Sequence, residues 1–137
     1  MNKSMFTSNK DDWETPDVLF NELNNKYHFT IDVASSEQNH KLPRYYTKEQ
    51  DGLKQDWSGE IVFCNPPYGR EISKWIKKAY YSNTKCVLLI PARTDTKYFH
   101  DYIYKKWNVK VEFLKGRLKF SNSKNSAPFP SMIVIFN

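Results

Sequence analysis

Long apolar runs are missing from this sequence of 137 residues. A membrane-spanning helix needs roughly 20 consecutive apolar residues, and because no stretch approaches that length we predict no association with a membrane. Residues 1–5 also lack the apolar stretch of a secretion signal. The mean hydropathy of -0.74 indicates a very polar surface. These absences favour a cytoplasmic protein.

Cysteine and histidine are scarce, with 2 and 3 residues respectively. Cys64 and Cys86 each lie within an apolar stretch, which predicts buried free thiols in a reducing cytoplasm. None of the histidines has the spacing of a metal ligand relative to these cysteines. We therefore predict no metal site, structural or catalytic.

Aromatic residues make up 16% of the chain and hydrophobic residues 39%, which indicates a folded protein and excludes a disordered one. The length is sufficient for one hydrophobic core. We predict a flexible tail over residues 1–12 and a single domain over residues 13–137.

Charge is distributed unevenly along the chain. Residues 1–60 carry 7 Lys+Arg and 11 Asp+Glu, a net charge of −4, whereas residues 61–137 carry 14 and 4, a net charge of +10. A basic half beside an acidic half predicts a polyanionic partner. A solvated, lysine-rich surface would explain the same numbers.

Short apolar runs alternate with segments of helical period. Strands are predicted at 27–34, near 45–46, and at 61–64, 86–90, 109–114 and 132–136. Helices are predicted after Thr15-Pro16, with Thr15 as N-cap, then over residues 72–80, and from Phe99 to Trp107. This alternation predicts an α/β fold with a mostly parallel sheet and helices on both faces. The last two strands should pair antiparallel, because no helix separates them. Helical spacing predicts that Trp75 and Trp107 lie in the core.

The sequence Asn65-Pro66-Pro67-Tyr68 directly follows a predicted buried strand. In an open parallel sheet, ligands bind beyond the carboxyl ends of the strands, and two prolines hold the loop rigid. An asparagine side-chain oxygen and a prolyl carbonyl can each accept a hydrogen from an amine whose lone pair is delocalised. That arrangement directs the lone pair at a methyl donor without a strong base. Tyr68 offers a flat face for a planar substrate.

Beyond this loop, a series of motifs in fixed order resembles the phage-type DNA N6-adenine methyltransferases. The motifs span residues 11–137 and are Trp13-x-Thr15-Pro16, Asp32-Val33-Ala34-Ser35, Asp51-Gly52-Leu53, Trp57, Asn65-Pro66-Pro67-Tyr68-Gly69, Arg93-Thr94-Asp95-Thr96 and Gly116-Arg117-Leu118-x-Phe120. The resemblance implies a single methyltransferase (Rossmann-like) domain with an antiparallel last strand. It also implies transfer of a methyl group from S-adenosylmethionine to the N6 amine of adenine.

The resemblance also implies roles for individual residues. The catalytic residues would be Asn65, Pro66, Pro67 and Tyr68. The donor would be bound by Trp13, Thr15, Pro16, Asp32, Ala34, Asp51 and Asn65. In this scheme Asp32 ends the first strand and Asp51 accepts a hydrogen bond from the donor's adenine, while Glu49 is a candidate for the donor ribose. No glycine follows the first strand, where such enzymes have a glycine-rich turn, which predicts weak donor binding.

Double-stranded DNA is the implied partner, and basic residues near strand ends are the candidate contacts: Arg93, Lys97, Lys115, Arg117 and Lys119. We expect a monomer or weak homodimer in the cytoplasm of a bacterial or phage-infected cell. Simpler interpretations remain open at this point. The two aspartates would cap turns equally well, Thr15-Pro16 would only start a helix, and the arginines would be surface charges. The catalytic loop would also suit a methyltransferase of RNA or of a protein amide, and an inactive DNA-binding relic of the fold would keep the same motifs.

Overall fold

The computed structural model describes residues 11–137, so the first ten residues of the predicted tail lie outside the described residues. Within residues 11–137, three α-helices and six strands follow in the order α1 (Asp17–Tyr27), β1 (Ile31–Ser35), β2 (Tyr45–Thr47), β3 (Ile61–Cys64), α2 (Ile72–Tyr81), β4 (Lys85–Pro91), α3 (Lys97–Tyr102), β5 (Val109–Phe113) and β6 (Ser131–Phe136). A 3₁₀ turn, Gly52–Lys54, lies between β2 and β3.

The strands form one sheet in the order β2-β1-β3-β4-β6-β5. Strands β1 to β4 run parallel, and β6 runs antiparallel to both β4 and β5. The predicted α/β class and the antiparallel pairing of the last two strands are thereby confirmed. The chain reverses its direction across the sheet between β1 and β3, and such a reversal opens a crevice at the carboxyl ends of the strands.

The core lies around the three central strands. β4 and β6 are buried along almost their whole length, and Val62, Leu88 and Val134 are completely inaccessible to solvent. Each such side chain contributes roughly 1.5–3 kcal/mol relative to an exposed one. This continuous burial explains why β3, β4 and β6 appear in the sequence as unbroken apolar runs.

The regular alternation of strands and helices is only partly present. The connections from β1 to β2 and from β2 to β3 contain no α-helix, only the 3₁₀ turn and irregular segments. The predicted strand at 27–34 begins later, at Ile31, because α1 extends through Tyr27 and ends at His28. His28 adopts a left-handed conformation (φ 55°) and its N–H bonds to the Asn24 carbonyl.

Helix α3 is shorter than predicted, and the prediction that Trp107 lies in the core is wrong. The helix ends at Tyr102, where the N–H groups of both Ile103 and Tyr104 bond to the Phe99 carbonyl. Lys105 then turns the chain with a positive φ of 58°. Trp107 therefore lies outside the helix and is 97% exposed, whereas Trp75 is buried as predicted.

The N-terminal end of the described chain contacts its body. The Tyr68 N–H bonds to the Asp11 carbonyl at 2.8 Å, and the Asn122 side chain donates to the Asp12 carbonyl at 2.8 Å. The last two residues of the predicted tail are thus held by the catalytic loop and by Asn122. None of the helices within residues 11–137 has the length and hydropathy needed to cross a bilayer.

Candidate active site

A cavity of about 530 Å³ opens at the carboxyl ends of β1, β2 and β3. Its volume lies in the range of small-molecule sites, roughly 300–1,000 Å³. Most of the residues predicted for donor binding and catalysis line it: Trp13, Thr15, Asp32, Ala34, Asp51, Asn65, Pro66 and Pro67. Pro16, Tyr68 and Glu49 do not belong to the lining, and their predicted roles stay predictions.

The Asn65 side chain has a fixed orientation in this cavity. Its Nδ2 donates one hydrogen bond to the Trp13 carbonyl and another, at 3.0 Å, to Thr15 Oγ1. If the amide were turned over, its oxygen would face the Trp13 carbonyl oxygen, so the bond to Trp13 fixes which end is which. Asn65 Oδ1 is buried and accepts no hydrogen bond from any residue that the structure describes. A buried acceptor without a partner is costly unless a ligand supplies the donor.

Thr15 is the main contact between the N-terminal segment and the catalytic loop. It is 2% exposed, and its hydroxyl is used by Asn65 rather than by the helix, so the prediction of Thr15 as N-cap is wrong. Pro16 is the N-cap, no side chain caps the helix, and α1 begins one residue later than expected. The Trp13 ring lies against Phe120 and Phe129, with centroids 5.3 Å and 5.2 Å away.

Asp32 lies inside β1, as its second residue, and not at its end as predicted. The carboxylate is 3% exposed. One oxygen accepts the Lys41 N–H at 2.9 Å, and the other accepts the Ala34 N–H at 3.4 Å. Burial raises the pKa of Asp32 from 3.8 to about 6, although the hydrogen bonds from the backbone lower it. Asp32 thus holds the loop after β1 in place while its carboxyl group lines the cavity.

Asp32→Asn is expected to stabilise the protein progressively, relative to wild type, as pH rises from about 4 to about 6. The folded protein binds more protons than the unfolded chain in this range, so the contribution of Asp32 to the free energy of unfolding falls with rising pH. The rise in pKa from 3.8 to about 6 corresponds to a change on the order of 3 kcal/mol. Urea unfolding of both proteins at several pH values measures this, and a constant difference between them would contradict it. Asp17→Asn is the control with the opposite sign, because Lys41 lowers the pKa of Asp17.

The Asp51-Gly52-Leu53 segment has a structural role as well as a place in the lining. Asp51 has a φ of 55° and its side chain accepts the Leu53 N–H at 3.1 Å, so it does cap a turn. The Gly52 carbonyl accepts Trp57 Nε1 at 2.9 Å. A side chain on Gly52 would have its Cβ only 2.1 Å from the Val33 carbonyl oxygen. The absence of a side chain here lets the turn pack directly on β1 and brings Asp51 to the cavity.

Tyr68 does not present an open face in this structure. Its ring is 5% exposed and packs edge-on against Phe120 and Phe129. Its hydroxyl donates to the Leu89 carbonyl at 3.0 Å. The last residue pair between β3 and β4 is Cys64↔Leu88, and Leu89 is the next residue of β4. The Tyr68 hydroxyl therefore donates a hydrogen bond to β4 just beyond the point where β3 ends. Tyr68 therefore anchors the catalytic loop to the sheet, and its role in holding a base stays a prediction.

Tyr68→Phe is expected to lower the free energy of unfolding by about 1–3 kcal/mol, because it leaves the buried Leu89 carbonyl without its donor. Chemical denaturation measures the effect. Tyr45→Phe, on the edge strand β2, is the matched control with a partly exposed ring. An equal effect of the two substitutions would show that the bond from Tyr68 to Leu89 contributes nothing.

Comparison with known proteins places this chain in a family. The family model for DNA N-6-adenine-methyltransferase (Dam) matches residues 3–137. The chain belongs to the DNA N-6-adenine-methyltransferase (Dam) family. A DNA N-6-adenine-methyltransferase of Haemophilus phage HP1 is 28% identical over 139 residues, covering 94% of this chain and 80% of the phage protein. A DNA N-6-adenine-methyltransferase of Escherichia phage T1 is 33% identical over 95 residues, covering 66% of this chain and 40% of that protein. The predicted family is confirmed.

The basic residues of this Dam-family chain that were predicted to contact DNA are all exposed, and none lines the cavity. The loop of residues 92–96 and the loop of residues 114–130 both lie at the carboxyl edge of the sheet, because β4 and β5 end there and β6 begins there. Arg93 lies over the Phe129 ring at 5.8 Å, which joins the two loops. Lys97 instead pairs with Asp101 at 2.5 Å. Arg93 is thus in contact with the loop that carries Lys115, Arg117 and Lys119.

Asn122 lines the cavity of the Dam-family chain, and sequence reasoning did not single it out. Its side chain is held at the site by a hydrogen bond from the N–H of Glu14, 108 residues away, so the local sequence pattern could not have revealed it.

Within residues 11–137 no group of three or more His, Cys, Asp or Glu side chains is placed to hold a metal ion. The two cysteines are buried as predicted. Burial raises the pKa of Cys86 to about 11 and that of Cys64 further, so both are neutral thiols at neutral pH.

Proposed function

We propose that this Dam-family chain transfers a methyl group from S-adenosylmethionine to the N6 amine of adenine in double-stranded DNA, with Asn65 as the residue that binds the reacting amine. The buried Oδ1 of Asn65 carries the proposal, because it is an acceptor without a partner among the described residues, on a fixed side chain of a residue that lines the cavity. The catalytic loop belongs at this position in an open parallel sheet.

The cavity suits a cationic donor better than it suits a polyanion. Five carboxylates line it (Asp12, Glu14, Asp32, Asp51 and Glu71), against two ammonium groups, those of Lys41 and Lys48. S-adenosylmethionine carries a sulfonium and an ammonium group, both of which carboxylates attract. The volume and the mixed apolar and polar lining also fit a molecule of this size. Asp51 and Asp32 are the residues we assign to the donor.

When bound, the donor supplies an electrophilic methyl group attached to its sulfonium. Asn65 Oδ1 accepts one hydrogen bond from the target amine, and a prolyl carbonyl of the same catalytic loop accepts the other. These bonds turn the nitrogen lone pair out of conjugation with the ring and align it with the methyl group. The acceptors strengthen their bonds as positive charge grows on the nitrogen, so their contribution is largest in the transition state.

The DNA would lie across the carboxyl edge of the sheet, over the loops of residues 92–96 and 114–130. An adenine inside a duplex cannot reach the cavity, so it must be flipped out of the helix. Exposed Arg93, Lys115, Arg117 and Lys119 would then hold phosphates. The reaction would take place in the cytoplasm of a bacterial or phage-infected cell.

Transfer of a labelled methyl group tests the function directly. The protein is incubated with labelled S-adenosylmethionine and, separately, with duplex DNA, RNA and total protein, and each product is hydrolysed and analysed. We expect label in N6-methyladenine from DNA. Label in RNA or protein but not in DNA would favour the two alternative substrates, and no transfer by a folded, DNA-binding protein would favour an inactive relic.

Arg93→Ala and Arg117→Ala are each expected to reduce the salt dependence of DNA binding by roughly one unit of slope in a plot of log affinity against log salt concentration. Fluorescence anisotropy at a series of salt concentrations measures this slope. Lys85→Ala is the control, because Lys85 begins β4 and lies at the opposite edge of the sheet. Unchanged slopes in both arginine variants would remove these loops from the DNA contact surface.

A further inference from the structure

We propose that Asn122 is a positioning residue for methyl transfer, which sets the orientation of the Asn65 amide through residues 12–15. This inference rests on the proposed role of Asn65. Asn122 does not bond to Asn65 and is not a catalytic residue. It acts by holding the segment that supplies both acceptors of Asn65 Nδ2.

The side chain of Asn122 uses both ends of its amide on this segment. Its Nδ2 donates to the Asp12 carbonyl at 2.8 Å, and its Oδ1 accepts the Glu14 N–H at 3.0 Å. The neighbouring Ser121 N–H adds a bond to the Glu14 carbonyl at 2.9 Å. The backbone on either side of Trp13 is therefore tied to the loop of residues 114–130.

The same segment, residues 12–15, also binds the Asn65 side chain. The Trp13 carbonyl lies between the two positions that Asn122 binds, and it accepts a hydrogen bond from Asn65 Nδ2. Thr15 Oγ1 accepts the second hydrogen of the same Nδ2. Moving the Trp13 carbonyl away would free the Asn65 amide to rotate. Oδ1 would then hold its orientation for only part of the time, and the fraction of molecules ready for chemistry would fall.

This arrangement predicts a specific kinetic effect. Asn122→Ala should lower kcat by about 10-fold, while the KM for DNA and the dissociation constant of the donor change less than about 3-fold. A general loosening of the cavity would instead weaken donor binding first. Asn25→Ala, in helix α1 and outside the loops assigned to DNA, is the control: Asn25 is exposed, and its side chain makes no hydrogen bond with any residue the structure describes.

A double-mutant cycle tests the route through Asn65. We measure single-turnover methyl transfer for wild type, Asn122→Ala, Asn65→Ala and the double variant. If Asn122 acts by orienting Asn65, then Asn122→Ala should change the rate less than about 2-fold once Asn65 is alanine. Equal effects of Asn122→Ala in the two backgrounds would overturn the proposal, as would an unchanged kcat in the wild-type background.

Asn122→Asp serves in the same cycle if the alanine variant does not fold. It keeps the size and the acceptor of the side chain, replaces the donor to the Asp12 carbonyl by an oxygen, and adds a negative charge. Equal effects of Asn122→Asp in the two backgrounds, or an unchanged kcat in the wild-type background, would again overturn the proposal. Failure of the proposed function is distinguishable, because it would appear as wild-type activity in Asn65→Ala itself or as no transfer to DNA by the wild type.

Discussion

Asn65→Ala is expected to lower kcat for methyl transfer to DNA by about 100-fold or more, which is about 2.7 kcal/mol of transition-state stabilisation. The substitution removes a buried acceptor that is held in place and has no partner among the described residues. Because this acceptor matters most as the amine becomes tetrahedral, the affinity for donor and DNA should change little. Rapid-quench measurement of labelled methyl transfer gives kcat, and calorimetry gives the donor affinity.

The matched control for this prediction is again Asn25→Ala, which removes the same side chain from an exposed position of α1. A kcat for Asn65→Ala within 10-fold of the wild-type value would mean that the amine is oriented by other groups. Loss of donor binding together with kcat would instead assign Asn65 to the donor site.

Gly52→Ala is expected to destabilise the protein by about 3 kcal/mol or more and to weaken donor binding. The added Cβ would lie 2.1 Å from the Val33 carbonyl oxygen and 3.0 Å from the Trp75 ring. That oxygen belongs to a strand paired on both sides, so it has little freedom to move. The turn that carries Asp51 would have to shift away from β1, and the cavity wall with it.

Gly59→Ala separates this clash from the general cost of the substitution. Gly59 has a φ of 75°, and an added Cβ would meet nothing within 4 Å. Its replacement carries only the strain of a left-handed alanine, about 1–2 kcal/mol. Urea denaturation compares the two variants, and equal destabilisation would show that the Gly52 contact is relieved without cost.

The elements that fill the core could be predicted because burial leaves a direct mark on the sequence. β3, β4 and β6 are continuous apolar runs, and a loop after the first of them is where a parallel sheet binds ligands. Asn65 could therefore be assigned to a site from its position alone. Thr15, Asp32 and Asp51 were assigned through motif resemblance, and all three line the cavity.

The ends of helices, and the contacts between side chains far apart in the sequence, could not be predicted. Trp107 fits the helical period of α3, but the helix ends at Tyr102 through local backbone bonds that leave no mark in the periodicity. Tyr68 is aromatic in a catalytic loop and so suggested a stacking surface, yet its ring contacts Phe120 and Phe129, which lie more than fifty residues further along the chain. Which aromatic rings meet depends on how the loops at the sheet edge fold together.

The bonds from Asn122 to residues 12 and 14 also bear on how the protein forms during synthesis. They join positions 110 and 108 residues apart, and contacts of such long sequence separation form late because the intervening chain must first be ordered. β6, which completes the sheet between β4 and β5, is made even later. On the ribosome, the first strands can pair while the cavity still lacks Asn122. The Asn65 amide should therefore acquire its fixed orientation only after residue 122 has left the exit tunnel.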